Sequence, residues 1–377
     1  MNGFDLMITG EPKIKVALLQ DVETAEINLD GDYLLGNGCI LGENLTAEIS
    51  GGYICLKNQS AGQITKQKEI LLTGEKQSAF TLPRVKIGIN FHWQQNQRQT
   101  FRGDILLSAV EKASLNLINI ISLEDYLASV ISSEMSAEAP PEFLKAQAVT
   151  ARSWLVAMLE KKKAAKPPRK TKNENEIITW QDVNDHEGFD VCADDHCQRY
   201  QGITKIISDN VKTAIEETRG MFLVISDKIC DARYYKCCGG LTEIFSTAWE
   251  NILPPYLKSV TCDKISREPI SSEKEAREWL NTNPPAYCNT QDNELMEKIL
   301  PSFDRKISDF YRWKVIYTRR ELEEIIKAKS GIDFGELQNI KPLARGHSGR
   351  IYKLKLEGSK KTITVGKELE IRRWLSP

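Results

Sequence analysis

The residue with the most chemical content is Glu134, in the segment LEDYLASVISSEM (123–135). Leu123, Tyr126, Leu127, Val130 and Ile131 recur at i, i+3, i+4, i+7 and i+8, which is one apolar face of a helix. Glu134 lies three residues after Ile131 and four after Val130, so it projects from that same face. A carboxylate there loses water and must either find a partner or keep its proton near neutral pH. Keeping the proton makes a general acid, able to donate to a leaving group. The alternative is a structural Glu near a helix end that bends out to solvent or pairs with Arg152.

A second constellation is Cys192-Ala-Asp-Asp-His196-Cys197. Two thiols and an imidazole within six residues are soft and borderline donors that suit zinc better than magnesium or calcium. They supply three ligands, and a fourth must come from elsewhere or from solvent. The spacing also fits a pair of reduced or disulfide-linked cysteines beside a hydrogen-bonded histidine. In KCCGGLT (236–242), the two glycines allow a sharp turn and a close backbone approach to a ligand, where Thr242 and Glu243 could meet sugar hydroxyls. A plain hairpin turn is the alternative there. Vicinal cysteines bridge each other only with strain, so Cys237 and Cys238 read as free or separately paired. HExxH, GxSxG, GxxxxGK[ST] and the zinc-deaminase pattern are absent, which removes several enzyme classes.

The elements that must position these residues are mixed. The first 110 or so residues are short Val-, Ile-, Leu- and Tyr-rich runs separated by Gly, Asn and Asp, which predicts strands. Ser122 is placed to cap a helix with Asp125 at its third position. Pro140 and Pro141 end that helix, and Pro141 suits the first turn of the next, whose apolar stripe is Leu144, Ala148, Ala151, Leu155 and Met158. A basic, Pro-containing insertion at 161–176 reads as an exposed loop. Residues 268–340 read as a charged, largely helical stretch, and RIYKLKLEG (350–358) and TITVGKELEIRRWL (362–375) as closing β-segments. The expectation is an α+β, β-rich fold in which a helical pair carries Glu134. Residues 1–95 form a β-rich region, either a subdomain or part of the same sheet system, and 96–377 the catalytic domain.

The 377 residues carry 51 Lys+Arg against 52 Asp+Glu, a balance that argues against nucleic-acid binding by bulk charge. No apolar run is long enough to span a membrane. The first twenty residues lack the basic start and apolar core of a secretory signal. Nine scattered cysteines do not make a dense disulfide framework.

The segment SLEDYLASVISSEMSAEAPPEFLKAQAVTARSWL (122–155) resembles the SpoIID/LytB (stage II sporulation protein D) family, with L-E-D-Y-L, S-E-M and L-K-A-Q-A-V-x-A-R in order. FDVCADDHCQRYQG (189–202), TRGMFLVISDKICDARYYKCCGGLTE (218–243), ARGHSGRIYKLKLEG (344–358) and ELEIRRWL (368–375) resemble its later motifs, so the resemblance runs from roughly 100 to 377. The basic insertion, the doubled cysteine and the stretch near 268–340 depart from the family pattern.

The resemblance implies a peptidoglycan lytic transglycosylase that cuts the β-1,4 bond between N-acetylmuramic acid and N-acetylglucosamine and leaves a 1,6-anhydro sugar, on strands whose stem peptides an amidase has removed. It implies Glu134 as the catalytic acid, and Tyr126, Gln147, Arg152, Gln198, Tyr200 and Thr242 as glycan-binding candidates. It also favours zinc on Cys192, His196 and Cys197, shaping the cleft. The expected partners are glycan strands and a cell-wall amidase, and the expected place is the cell envelope, which is in tension with the missing export signal. The competing reading is a non-catalytic wall-binding enhancer of an N-acetylmuramoyl-L-alanine amidase. A third is a zinc hydrolase on another substrate.

Overall fold

A computed structural model of the chain describes residues 10–42, 44–58, 62–89, 94–110, 113–163, 170–180, 186–206, 208–301, 304 and 310–376. The fold is α+β and rich in strands, and it divides into two compact units. The first takes residues 1–160, 185–231 and 297–303, and the second takes 161–184, 232–296 and 304–377.

In the first unit, one sheet runs in the order 191–192, 13–22, 114–122, 104–110, 69–74, 33–35, 40–41. A second runs 95–102, 79–87, 24–30, 44–50, 53–58, 62–67. Strands on both sides of residue 95 share these sheets: Gln95–Arg102 pairs with Ala79–Ile87, and Lys13–Val22 with Ser114–Ser122. Ser114–Ser122 sits between two partners, and most of SLNLINIIS is buried on both faces, so the segment reads as an apolar run broken by two asparagines.

That strand leads directly into helix α1 (Leu123–Glu134). Ser122 caps it as expected: its Oγ accepts the Asp125 N–H at 3.3 Å and donates to the Asp125 carboxylate at 2.7 Å. Tyr126, Leu127, Val130 and Ile131 have no solvent exposure. Burial of each such side chain contributes about 1.5–3 kcal/mol. Helix α2 (Pro141–Lys163) buries the expected stripe of Leu144, Ala148, Ala151, Leu155 and Met158.

The two helices are joined by an ion pair in the interior. Arg152 donates to both carboxylate oxygens of Glu124, at 3.0 and 2.6 Å, and both residues are buried. A third guanidinium N–H reaches the Met221 carbonyl at 3.2 Å, beside helix α3 (Asp209–Glu217). The expected alternative of an Arg152–Glu134 pair is replaced by this arrangement, because Glu124 stands opposite Arg152 on α1.

The second unit is built on a sheet ordered 170–172, 176–179, 362–366, 351–358, 337–345. The helix Arg319–Ser330 is capped by a reciprocal Thr318–Glu321 box and ends on Gly331 in the left-handed region. Ile326, Phe334, Leu354, Leu356, Ile363, Val365, Ile371 and Trp374 make its core. Three expectations change here. The segment ELEIRRWL is a helix, Glu368–Leu375, because its buried residues Glu370, Ile371 and Trp374 follow a 3.6-residue period, and the Trp374 indole donates to Glu370 at 2.8 Å. The stretch near 268–340 contains helices Glu273–Asn281, Asn293–Ile299 and Arg319–Ser330, but ends in the strand Leu337–Arg345. Of the basic insertion, residues 164–169 lie outside the described residues, and Lys170–Lys172 pairs as a strand with Glu176–Thr179.

Breaking one half of the interior ion pair leaves a buried charge without its partner. Arg152→Met should therefore destabilise the chain by about 3–5 kcal/mol, and the double change Glu124→Leu with Arg152→Met by distinctly less. Urea unfolding read by tryptophan fluorescence checks both, and equal losses in the two variants would contradict the assignment.

Candidate functional site

Glu134 is the last residue of α1 and is half-buried. Its carboxylate accepts the Gln147 side-chain amide N–H at 3.3 Å, from the second turn of α2. The other oxygen accepts the backbone N–H of Arg199 at 3.1 Å. Gln147 and the Arg199 main chain each direct an N–H at the carboxylate and so orient it.

The loop that brings Arg199 is fastened along α1. The Tyr126 hydroxyl donates to Gln198 at 3.2 Å, and the Gln198 amide donates onward to the Ala151 carbonyl of α2 at 3.2 Å. The Ser129 hydroxyl donates to the Gly202 carbonyl at 2.9 Å and accepts the Gln201 N–H at 3.2 Å. Burial pushes the Tyr126 phenol well above its usual range, so it stays a donor. Gly202 has φ +65°, and a Cβ there would lie 2.1 Å from the Thr100 carbonyl oxygen, so only glycine lets the loop pass so close to the sheet. Tyr200 stacks on Tyr126 with centroids 5.2 Å apart and lies 5.7 Å from Phe101, which in turn stacks on Phe80 at 5.4 Å. The Tyr200 hydroxyl donates to Asn119 in the central strand at 2.7 Å.

The same loop begins with a cluster of thiol and imidazole side chains. Val191–Cys192 is a short parallel strand against Val16 and Ala17. Asp190 accepts the Lys15 N–H at 2.9 Å, and Asp194 accepts the N–H groups of Gly88 and Ile89 at 3.0 Å each. So anchored, Cys192, His196 and Cys197 gather with His186, and one ligand atom from each lies within 4.8 Å of the others. Cys197 Sγ is 3.2 Å from His186 Nε2 and 3.6 Å from His196 Nδ1, and Cys192 Sγ is 3.9 Å from His196 Nδ1. The neighbouring Cys197 thiol, and then His186 and His196, hold the Cys192 thiol far below its usual range against the opposing effect of burial. These four side chains are able to hold a metal ion.

Residues 111–225 match the family model described as SpoIID, stage II sporulation protein. That match makes residues 111–225 a SpoIID-like segment of this chain. The SpoIID segment contains Glu134, the metal-ligand constellation and the fastened loop. Residues 243–377 match a different model, described as a domain of unknown function, DUF8618, so the family resemblance read out to residue 377 is matched by the SpoIID model only as far as residue 225. Stage II sporulation protein D of Bacillus amyloliquefaciens is 29% identical over 161 residues, covering 40% of this chain and 41% of that protein. The protein of the same name from Bacillus subtilis (strain 168) is 27% identical over 164 residues, 43% of this chain and 45% of that protein. An uncharacterized protein of Brachyspira hyodysenteriae (strain ATCC 49526 / WA1) is 29% identical over 144 residues, 38% of this chain and 33% of that protein. Each match spans less than half the length of the curated relative.

Within the SpoIID-like segment, Gln147 contacts Glu134 directly, and Gln198 immediately precedes the Arg199 N–H that also reaches it. Arg152, Tyr126 and Tyr200 are at most 1% exposed and are committed to Glu124, Gln198 and Asn119, so they shape the site from behind and do not present a surface to a sugar. Thr242 belongs to the second unit, where its hydroxyl accepts the Val260 N–H at 2.6 Å. Glu243 there accepts the N–H groups of His347 and Ser348 and the Ser348 hydroxyl. Sequence reasoning missed His186, six residues before Cys192 and one of only four histidines in the chain. It also missed the Arg199 main-chain donor, which no side-chain motif encodes.

Tyr200→Phe removes the hydrogen that satisfies the buried Asn119 oxygen. The expected loss is about 1–2 kcal/mol with the aromatic stack kept. A drop in the urea midpoint checks this, and unchanged stability would show that the contact is idle.

Proposed function

We propose that the SpoIID domain of this chain is a peptidoglycan lytic transglycosylase with Glu134 as its single general acid and base. The observation that carries the reading is a half-buried Glu at a helix end, aimed by a side-chain amide and a main-chain N–H. A hydrolysing glycosidase needs two carboxyls, one to protonate the leaving oxygen and one to attack carbon or activate water. A lytic transglycosylase uses the C6 hydroxyl of N-acetylmuramic acid as nucleophile, already held in the substrate. Glu134 donates its proton to the glycosidic oxygen as the C1–O bond breaks. The C6 oxygen bonds to C1, and its proton passes to Glu134, which restores the acid without consuming water. Gln147 and the Arg199 N–H keep the carboxylate in line during the interval when it is charged.

The Cys192, Cys197, His186 and His196 set fits zinc. Tetrahedral bonds of about 2.3 Å to sulfur and 2.0–2.1 Å to nitrogen place S and N atoms about 3.5 Å apart, close to the spacings found. The ion would fix the start of the loop that delivers Gln198 and Arg199 to α1. A peptidoglycan substrate would place the protein in the cell envelope, acting on strands that an amidase has stripped of peptide.

On peptide-free glycan strands, wild-type protein should release products ending in anhydro-N-acetylmuramic acid, detected by mass spectrometry. Glu134→Gln should lower that rate by roughly 10²–10⁴-fold while glycan binding persists. Full activity in that variant would overturn the role of Glu134. Wild-type protein that binds glycan and stimulates an amidase, yet forms no anhydro ends, would favour the enhancer reading. Chelation should speed amide hydrogen exchange across residues 186–202, and exchange that is the same with and without chelator would remove the metal from the account.

A further inference from the structure

The second unit holds a thiol cluster that the proposed chemistry does not use. Cys238, Cys262 and Cys288 are widely separated in sequence, yet their sulfur atoms lie within 4.8 Å of one another. Cys238 Sγ and Cys288 Sγ are 3.5 Å apart, and Cys237 Sγ stands 3.9 Å from the Cys288 carbonyl oxygen. All four are free thiols. We propose that Cys238, Cys262 and Cys288 form a structural zinc-thiolate site.

Three arguments support it. Tetrahedral zinc with bonds of about 2.3 Å places its sulfur ligands about 3.8 Å apart, so the cluster already has the dimensions of one coordination shell. Three mutually adjacent thiols cannot all be satisfied by one disulfide, whereas one ion takes them all. The backbone also prepares the site for thiolate: the Gly240 N–H donates to Cys238 Sγ at 3.3 Å. Gly239 and Gly240 have φ of 71° and 102°, and a Cβ on Gly240 would lie 2.7 Å from the Tyr311 hydroxyl, so this N–H can reach the sulfur only because the turn is glycine. Arg350 and Arg312 donate to the carbonyls of Cys238 and Gly239, at 2.8 and 2.9 Å, fixing the turn from outside.

The cluster joins three separate segments. The 237–241 turn pairs with residue 261 through the Leu241–Thr261 bridge, the Cys262 N–H donates to the Gly240 carbonyl at 3.0 Å, and the Tyr287 N–H donates to the Cys262 carbonyl at 2.8 Å. The ion would tie these long connections where sheet and helix are sparse. Each thiol would release its proton to solvent on binding. This inference is independent of the role of Glu134 and of the first metal-ligand set.

The test uses the reduced full-length wild-type chain, with cysteines mapped by iodoacetamide alkylation and mass spectrometry before and after chelation. Cys238, Cys262 and Cys288 should be protected in the zinc-loaded chain and become reactive once it is stripped. Reactivity that chelation does not change, or recovery of any two of them as a disulfide-linked peptide pair in the reduced preparation, would overturn the proposal. As a second measurement, zinc content is compared between wild type and Cys262→Ser/Cys288→Ser. A loss of about one equivalent supports the site, and equal zinc in a soluble variant refutes it.

Discussion

The arrangement around Glu134 depends on a charge pair far from water. Glu124 and Arg152 pay several kcal/mol each in lost hydration, which their mutual attraction repays only because the geometry is bidentate and the remaining N–H groups find acceptors. The return is register. α1 and α2 run from a short Pro-containing connection, and two packed apolar stripes alone would tolerate small slides. The pair at 124 and 152 removes that freedom at one end, so Glu134 and Gln147 meet at the other.

A second constraint acts at right angles to the first. The loop from 186 to 202 carries no regular element except the two-residue strand at 191–192 and the start of a short 3-10 turn, yet it delivers a main-chain donor to Glu134. It does so because its side chains are inserted into the body of the unit. Tyr200 enters the core between Tyr126 and Phe101, Gln198 bridges α1 and α2, and Gly202 lies against Thr100. An irregular segment has few of its own backbone hydrogen bonds, so it becomes rigid only when anchored at several points along its length. The anchors here are aromatic, amide and, at the 190–194 end, the carboxylates of Asp190 and Asp194 on the N–H groups of Lys15, Gly88 and Ile89.

Much of this was legible in the sequence, and the failures have physical reasons. The helix pair, its cap and its buried stripes followed from a period of 3.6 and from Ser122 and Pro141. Glu134 stood out because a carboxylate on an apolar face is costly. Arg152, Tyr126 and Tyr200 are sugar-contact candidates only through their motif positions in the family resemblance, and burial is a tertiary property, so a motif position does not reveal which side of the site a residue supports. The helix at 368–375 was read as a strand because a short segment with Ile, Trp and Leu fits both periods, and only the contacts of Glu370 and Trp374 separate them. His186 is out of reach of a spacing argument because it joins Cys192, His196 and Cys197 only through folding.

The two sulfur-rich clusters illustrate a further point about local and distant information. Cys192, His196 and Cys197 announce themselves because six residues suffice to bring three donors together. Cys238, Cys262 and Cys288 are separated by intervals of more than twenty residues, and nothing in their spacing marks them as a set. What marks them is the backbone between: a glycine turn, a bridge from Leu241 to Thr261, and main-chain hydrogen bonds that lead each segment to the next. Closing such long loops carries an entropic cost that rises slowly with length, so linking the third segment costs little more than linking the second. An ion taking all three thiols would link three remote segments at once, a gain that is largest where the connections are long.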